Sequence, residues 1–279
     1  MKDSWFFGNA GVNNLKEVNE SFKLKTLKHI NLISKNTFST YSPWMSNLDK
    51  ITELEDEFKS NKLIITSINS LETLEQFYSP PEDENNSVSF FNFSSDKLLE
   101  GAVDIIKSQG NDISNIFENT VRHIVPLETA KGDFQNIGIG FSSHLAKGAI
   151  FLNSPFLNEN SALQLAINIA HETGHQALYI YQTADPIIEN GIDTPVYSYV
   201  RKIDRPAIQS FHASVALAFM VRFLTQLNKG YHSDYHQKVL EKLVHDFTQS
   251  LNSYKNIQFT EFGELLLEDR SEEHTSELQ

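Results

Sequence analysis

Apolar positions recur at helical spacing along most of the chain, and only short runs alternate. Residues 15–35 mix charge with spaced apolar side chains and read as a short helix. Leu48, Ile51, Leu54 and Phe58 return every three or four positions, which predicts a helix over 46–63, continued over 70–77 after a break. The run Ser79-Pro80-Pro81-Glu82-Asp83-Glu84-Asn85-Asn86 is the clearest loop. It divides an N-terminal helical region, 1–86, from residues 87–269. Residues 87–93 alternate weakly and read as a strand. Residues 94–109 and 111–125 read as helices, the second stopped by Pro126, whose ring clashes with a preceding turn. Ile137, Ile139 and Phe141 lie on one side of a strand-like run at 136–142. A second run covers 149–152, and Lys147-Gly148 is expected to turn between the two.

The second half has the stronger periodicity. Asn158 and Asn160 are candidate N-caps for a long helix reaching about Tyr181. Asp185-Pro186 opens a loop, and residues 195–200 read as extended or irregular. Pro206 suits a first helical turn. The helix from there to about Asn228 is strongly apolar, with Gly230 beyond it. Residues 236–251 form a further helix, and 260–267 close the interpretable sequence. Residues 270–279, R-S-E-E-H-T-S-E-L-Q, translate a common sequencing-adapter read (AGA TCG GAA GAG CAC ACG TCT GAA CTC CAG). They are set aside as an artefact, His274 with them.

Composition narrows the chemistry. The 279 residues are 40% apolar, enough for a substantial core. The net charge of −13 repels nucleic acid and anionic lipid at long range. With no cysteine, disulfides and thiolate sites are excluded, so any metal must be held by nitrogen and oxygen. The N-terminus turns polar at Gly8-Asn9, unlike a signal peptide, and no segment is expected to span a bilayer. A cytoplasmic protein is the simplest expectation.

Within the long helix stands His171-Glu172-Thr173-Gly174-His175. A helix turns 100° per residue, so the two imidazoles lie about 40° and one turn apart and can meet at one ion. Glu172 beside them can act on a bound water or orient a ligand. Gly174 leaves space, which fits a strand or substrate passing close by. A third ligand is needed. Asp185, Glu189 and Asp193 sit in loop-like sequence, and residues 176–182 lack the Gly and His of a metzincin. His212 is the better candidate, because Ala216, Phe219 and Phe223 share its helix face and turn it inward. The competing reading is a core histidine bonded to a carbonyl or tyrosine. Arg201, Arg205 and Arg222 lie near that helix. Each either pairs with a protein acid such as Asp204 or anchors the carboxylate of a small co-substrate. His144, between two strand-like runs, is a candidate substrate contact. His123 reads as structural, and His29, His232, His236 and His245 as surface or minor packing residues.

From about Ile124 to Leu227 the chain resembles the HExxH-motif peptide-modification proteins associated with ribosomally made peptide natural products. The likeness rests on residues 171–175, on Val196-Tyr197-Ser198 with Arg205-Pro206, on Phe211-His212-Ala213, on Phe223-Leu224 and on Phe259-Thr260-Glu261-Phe262-Gly263. Tyr199-Val200-Arg201 and Ala213 depart from the commoner Pro-Trp-Arg and Gly, changes that bear on the substrate pocket more than on the metal. The resemblance implies an iron(II)/2-oxoglutarate-dependent hydroxylation of β-carbons in a precursor peptide, with a peptide maturase as a possible partner. His171, His175 and His212 would hold the iron, Arg205 or Arg222 the co-substrate, and Glu172 would orient ligands. The implied fold is α+β, mostly helical and zincin-like, with the HExxH helix packed near a small antiparallel sheet. Two alternatives stay open. One is a zinc peptidase with Glu172 as base and Tyr197, Tyr199 or His144 stabilising the oxyanion. The other is a non-catalytic peptide-binding module.

Overall fold

A computed structural model describes residues 4–34, 37–46, 64–65, 96–127, 140–153, 161–227, 229–231 and 233–277. The helices expected at 46–63 and 70–77, the loop at 79–86, the strand at 87–93, the caps Asn158 and Asn160, and His232 lie outside those residues or almost wholly so. The described helices, in chain order, are α1 (Gly8–Ser34), α2 (Asp96–Ser108), α3 (Asp112–Thr120), α4 (Ser161–Tyr181), α5 (Ala207–Thr225), α6 (Asp234–Leu251) and α7 (Glu261–Glu277). The strands are β1 (Ile64–Ile65), β2 (His123–Leu127), β3 (Gly140–Ser142), β4 (Ala149–Asn153), β5 (Ile188–Asn190), β6 (Pro195–Ser198), β7 (Ile203–Pro206) and β8 (Gln258–Phe259).

Helices α4 and α5 form the centre, and each is apolar on most sides because each is surrounded. α4 packs against α2, α3 and α5, with β3 and β4 beside it. α5 is buried almost continuously from Ser210 to Leu224. Its 19 residues reach the length and apolar character of a membrane span, which the sequence reading had not found in any segment. Here the helix belongs to the core, with 83% of its most apolar 18-residue window buried within the fold. At Gly174 the two central helices nearly touch. A Cβ there would lie 3.1 Å from the Ala216 Cα and 3.1 Å from the Phe219 ring. The space left by Gly174 is therefore filled by α5, not by a strand or substrate.

The four-stranded sheet beside α4 is mixed, and the small antiparallel pairing expected near the helix is found at β3/β4 and in two separate strand pairs. The sheet's order is β1-β2-β4-β3, with β1/β2 and β2/β4 parallel and only β3/β4 antiparallel. The pairs β5/β8 and β6/β7 are antiparallel. The helix expected over 111–125 ends at Thr120, and residues 123–127 form β2 between two parallel neighbours. The β-branched pair Ile124-Val125 suits a buried strand. Pro126 ends no helix, but sits within the strand opposite Leu152. The Gly148 carbonyl accepts from the Arg122 and His123 amides at 2.8 and 3.0 Å, holding the turn into β2.

α1 begins seven residues earlier than expected because the chain before it is anchored. Phe6 and Phe7 are buried. The buried Asp269 carboxylate, on α7, accepts from Ser4 Oγ at 3.0 Å and from the Trp5 and Phe6 amides at 3.1 and 3.2 Å. The predicted helices at 94–109, 206–228 and 236–251 appear as α2, α5 and α6. The Ser233 hydroxyl caps α6 by accepting from the His236 amide.

Burial, with the Arg122 charge beside it, holds the β2 imidazole His123 down to about 3. The folded value lies below the ordinary one, so the neutral ring's contribution is fully present above about pH 6.5 and declines as pH falls toward 3. Unfolding free energy should therefore fall on acidification below pH 6.5, this residue supplying up to about 1.4 kcal/mol per pH unit. A His123→Phe variant, titrated by urea denaturation, is expected to show a shallower slope; an unchanged slope would remove His123 as its cause.

Candidate metal centre

α4 aligns His171, His175 and Tyr179 along one face at four-residue intervals. His171 Nε2 and His175 Nε2 face each other at 3.0 Å, with ring centroids 4.7 Å apart. Glu172 Oε1 lies 3.8 Å from His171 Nε2. One donor atom from each of His171, Glu172 and His175 falls within 4.8 Å of the others. α5 carries His212 to the other side of His175, Nδ1 to Nδ1 at 3.3 Å. The His212 Nε2 meets Gln182 Oε1 at 3.0 Å, just past the end of α4, and the Tyr179 ring lies 4.6 Å from the His212 ring.

Two further elements close on this cluster. β3 brings Gly140 and Ser142. A Cβ at Gly140 would meet the Phe151 carbonyl at 2.6 Å and Glu172 Oε1 at 3.3 Å, so a glycine lets the strand lie this near. The Tyr179 hydroxyl donates to the Ser142 carbonyl at 3.4 Å. The β6–β7 hairpin brings the arginines. Its register pairs Val196 with Arg205, which puts Arg205 on the hairpin face whose β6 residues, Val196 and Ser198, are buried. Arg201 lies in the turn.

Burial pushes the Glu172 carboxyl up to about 8, with the adjacent Ser142 hydroxyl and the Arg201 charge drawing it partly back. Among the described residues Glu172 Oε2 and Ser142 Oγ, both buried, meet no partner in close hydrogen-bond geometry, and the hydroxyl bears on the carboxyl only weakly. Burial, aided by Arg201, lowers His171 to about 4. Burial, then His144 and Arg205, lowers His212 to about 3. His175 falls well below the usual imidazole range through burial, then the neighbouring His171 and His212 and both arginines. Burial and Glu172 raise Tyr179, which stays a phenol. Neutral imidazoles and an unsatisfied carboxylate oxygen are what a divalent cation requires, and two nitrogens with one oxygen suit iron or zinc alike. The chain thus holds a buried His–Glu–His metal-binding cluster, a candidate catalytic metal site.

The other expected residues divide. Arg201 and Arg205 bear electrostatically on the cluster. Arg222 does not: its Nε and Nη2 donate to Asp112 Oδ2 at 3.1 and 2.9 Å, and it lies over the Phe7 ring. Arg222 thus pairs with a protein acid, as one expectation had it, and that acid is Asp112 on α3, not Asp204. Asp185 accepts from the Ile187 amide and Thr260 hydroxyl, and Glu189 from Gln258, so both serve the local chain. Asp193 is exposed and outside the cluster. Tyr197 and Tyr199 pack edge to face on each other at 4.9 Å. His144 is exposed, its ring 6.3 Å from Tyr179. His123 is buried in β2, His236 is buried with Nε2 donating to the Leu224 carbonyl, and His29 and His245 are exposed.

Sequence reasoning missed Tyr179 and Gln182. The four-residue step from His175 was signal enough for Tyr179. Nothing in the sequence marks Gln182, whose position matters only because α5 delivers His212 to it. Compared with known proteins, the chain matches no family model and no curated protein.

Proposed function

We propose that this chain is an iron(II)- and 2-oxoglutarate-dependent oxygenase that hydroxylates a side-chain β-carbon of a ribosomally made peptide. The observation that carries this reading is positive charge beside the donor cluster. Arg205 is half-buried, adjoins Arg201, and pairs with no carboxylate of the described residues. A guanidinium withdrawn from water without an acid is suited to a carboxylate arriving with a ligand. Such a co-substrate would bind at Arg205, with Arg201 adding charge.

His171 and His175 are the two nitrogen donors in this reading. Glu172, whose oxygen lies in the cluster, is the third donor, while His212 meets His175 from outside it. Iron and the keto acid together supply the oxidising chemistry when bound. The chain's own residues do the rest: α4, α5 and β3 bury the cluster, and Tyr179, whose hydroxyl donates to the Ser142 carbonyl, stands beside His212.

A zinc-dependent hydrolase is the second reading, and Glu172 favours it. A carboxyl raised to about 8, with one oxygen unsatisfied, is poised to take a proton from water near neutral pH. Anaerobically reconstituted iron protein, given a candidate precursor peptide, 2-oxoglutarate and oxygen, separates the two. Succinate release with the gain of one oxygen atom supports the oxygenase. Cleaved peptide with zinc and no keto acid supports the hydrolase, and silence in both supports a binding module. Arg205→Gln is expected to raise the KM for 2-oxoglutarate about 10- to 100-fold, the worth of a charged hydrogen bond. Iron affinity should stay unchanged; an unaltered KM would remove Arg205 from co-substrate binding.

A further inference from the structure

We infer that Gln182 and His212 form a hydrogen-bonded relay that sets the proton position on His175 and so aims its Nε2 lone pair into the metal cluster. The inference rests on the metal-centre reading above but on neither choice of chemistry. An amide oxygen can only accept, so Gln182 Oε1, 3.0 Å from His212 Nε2, requires the proton there. A neutral imidazole carries one proton, which leaves His212 Nδ1 as an acceptor. That atom faces His175 Nδ1 at 3.3 Å. His175 then donates from Nδ1, and its lone pair resides on Nε2, the atom turned toward His171 at 3.0 Å.

The surroundings hold this line in place. His212 is 9% exposed, flanked by the Tyr179 ring and carried on a helix buried almost throughout. The fully buried Gln176, one residue past His175, is tied to the sheet, accepting from the Gly148 amide at 2.7 Å and donating to the Ala149 carbonyl at 2.8 Å. The relay places His212 behind a ligand instead of among the ligands. The third donor is then Glu172, whose oxygen already lies in the cluster. Partners of this kind fix ligand orientation and strengthen metal binding by about 10- to 100-fold.

The test is cobalt(II) affinity of the full chain, measured by chelator competition, with thermal unfolding in chelator as the control for folding. Gln182→Leu removes the acceptor and should weaken cobalt binding 10- to 100-fold, while Gln182→Glu, which keeps it, should retain wild-type affinity. His212→Asn offers an acceptor oxygen near the place of Nδ1 and should bind within about tenfold of wild type. In the wild-type protein without metal, nitrogen-15 spectra should show His212 protonated at Nε2 and His175 at Nδ1. This assignment decides the matter alone if Gln182→Leu fails to fold. Wild-type affinity in Gln182→Leu, or abolition of binding in His212→Asn, overturns the relay. Loss of binding in His175→Ala alongside either result would leave the metal centre standing. Unchanged binding in His175→Ala would overturn both.

Discussion

His175→Ala is expected to weaken divalent-metal binding by several-hundredfold and to abolish turnover. A structural four-donor zinc site is worth about 10–16 kcal/mol, so one donor of the four carries about 2.5–4 kcal/mol, on the order of 70- to 900-fold. His175 has more than an average share, because it touches both His171 and His212. The metal-free variant should still fold, since the core around α4 is built from Leu165, Ile169, Leu178 and their neighbours and not from this ring. A thermal-shift titration makes the contrast visible. Metal at a hundred times the dissociation constant stabilises wild type by about 2.7 kcal/mol, and at the same concentration the variant should gain almost nothing. Equal gains in both proteins would place the ion elsewhere.

Gly174→Val is expected to destabilise the fold and loosen the metal centre together. Relieving glycine's cost in a helix returns less than about 1 kcal/mol, and less for valine than for alanine. Against this, the first added carbon would stand 3.1 Å from the Ala216 Cα and 3.1–3.2 Å from Phe219 Cγ and Cβ, which are backbone and ring-root atoms unable to swing away. Overpacking of that kind costs about 1–3 kcal/mol or more, so the steric term wins. The melting midpoint should drop by about 4–8 °C. Ala216 follows His212 by one turn, so helices forced apart here carry His212 away from His175. Cobalt affinity should fall with stability; a more stable protein with unaltered affinity would contradict the close approach.

What could be read from the sequence follows from where the determining contacts lie. α4, α5 and α6 were legible because their apolar spacing is local and long. The site's core was legible for the same reason, since His171, Glu172 and His175 need only one helix to bring them together. His212 was expected to point inward on a face argument, yet α5 is buried nearly all round, so its inward position owes more to the whole helix than to one stripe. β2 was misread because Pro126 resembles a helix stop, whereas parallel neighbours on both sides settle that segment as strand. The start of α1 was misread because Asp269, more than 260 residues away, anchors it. Arg222 was linked to the site by proximity in sequence, but Asp112 claims it.

The central claim is that His171, His175 and Glu172 hold one metal ion between α4 and the β3 edge. X-ray absorption at the metal edge of the iron-loaded protein addresses it directly. One ion per chain is expected, with scattering from at least two imidazoles that diminishes in His171→Ala. An ion surrounded by oxygen alone, or a spectrum that His171→Ala leaves unaltered, would contradict it.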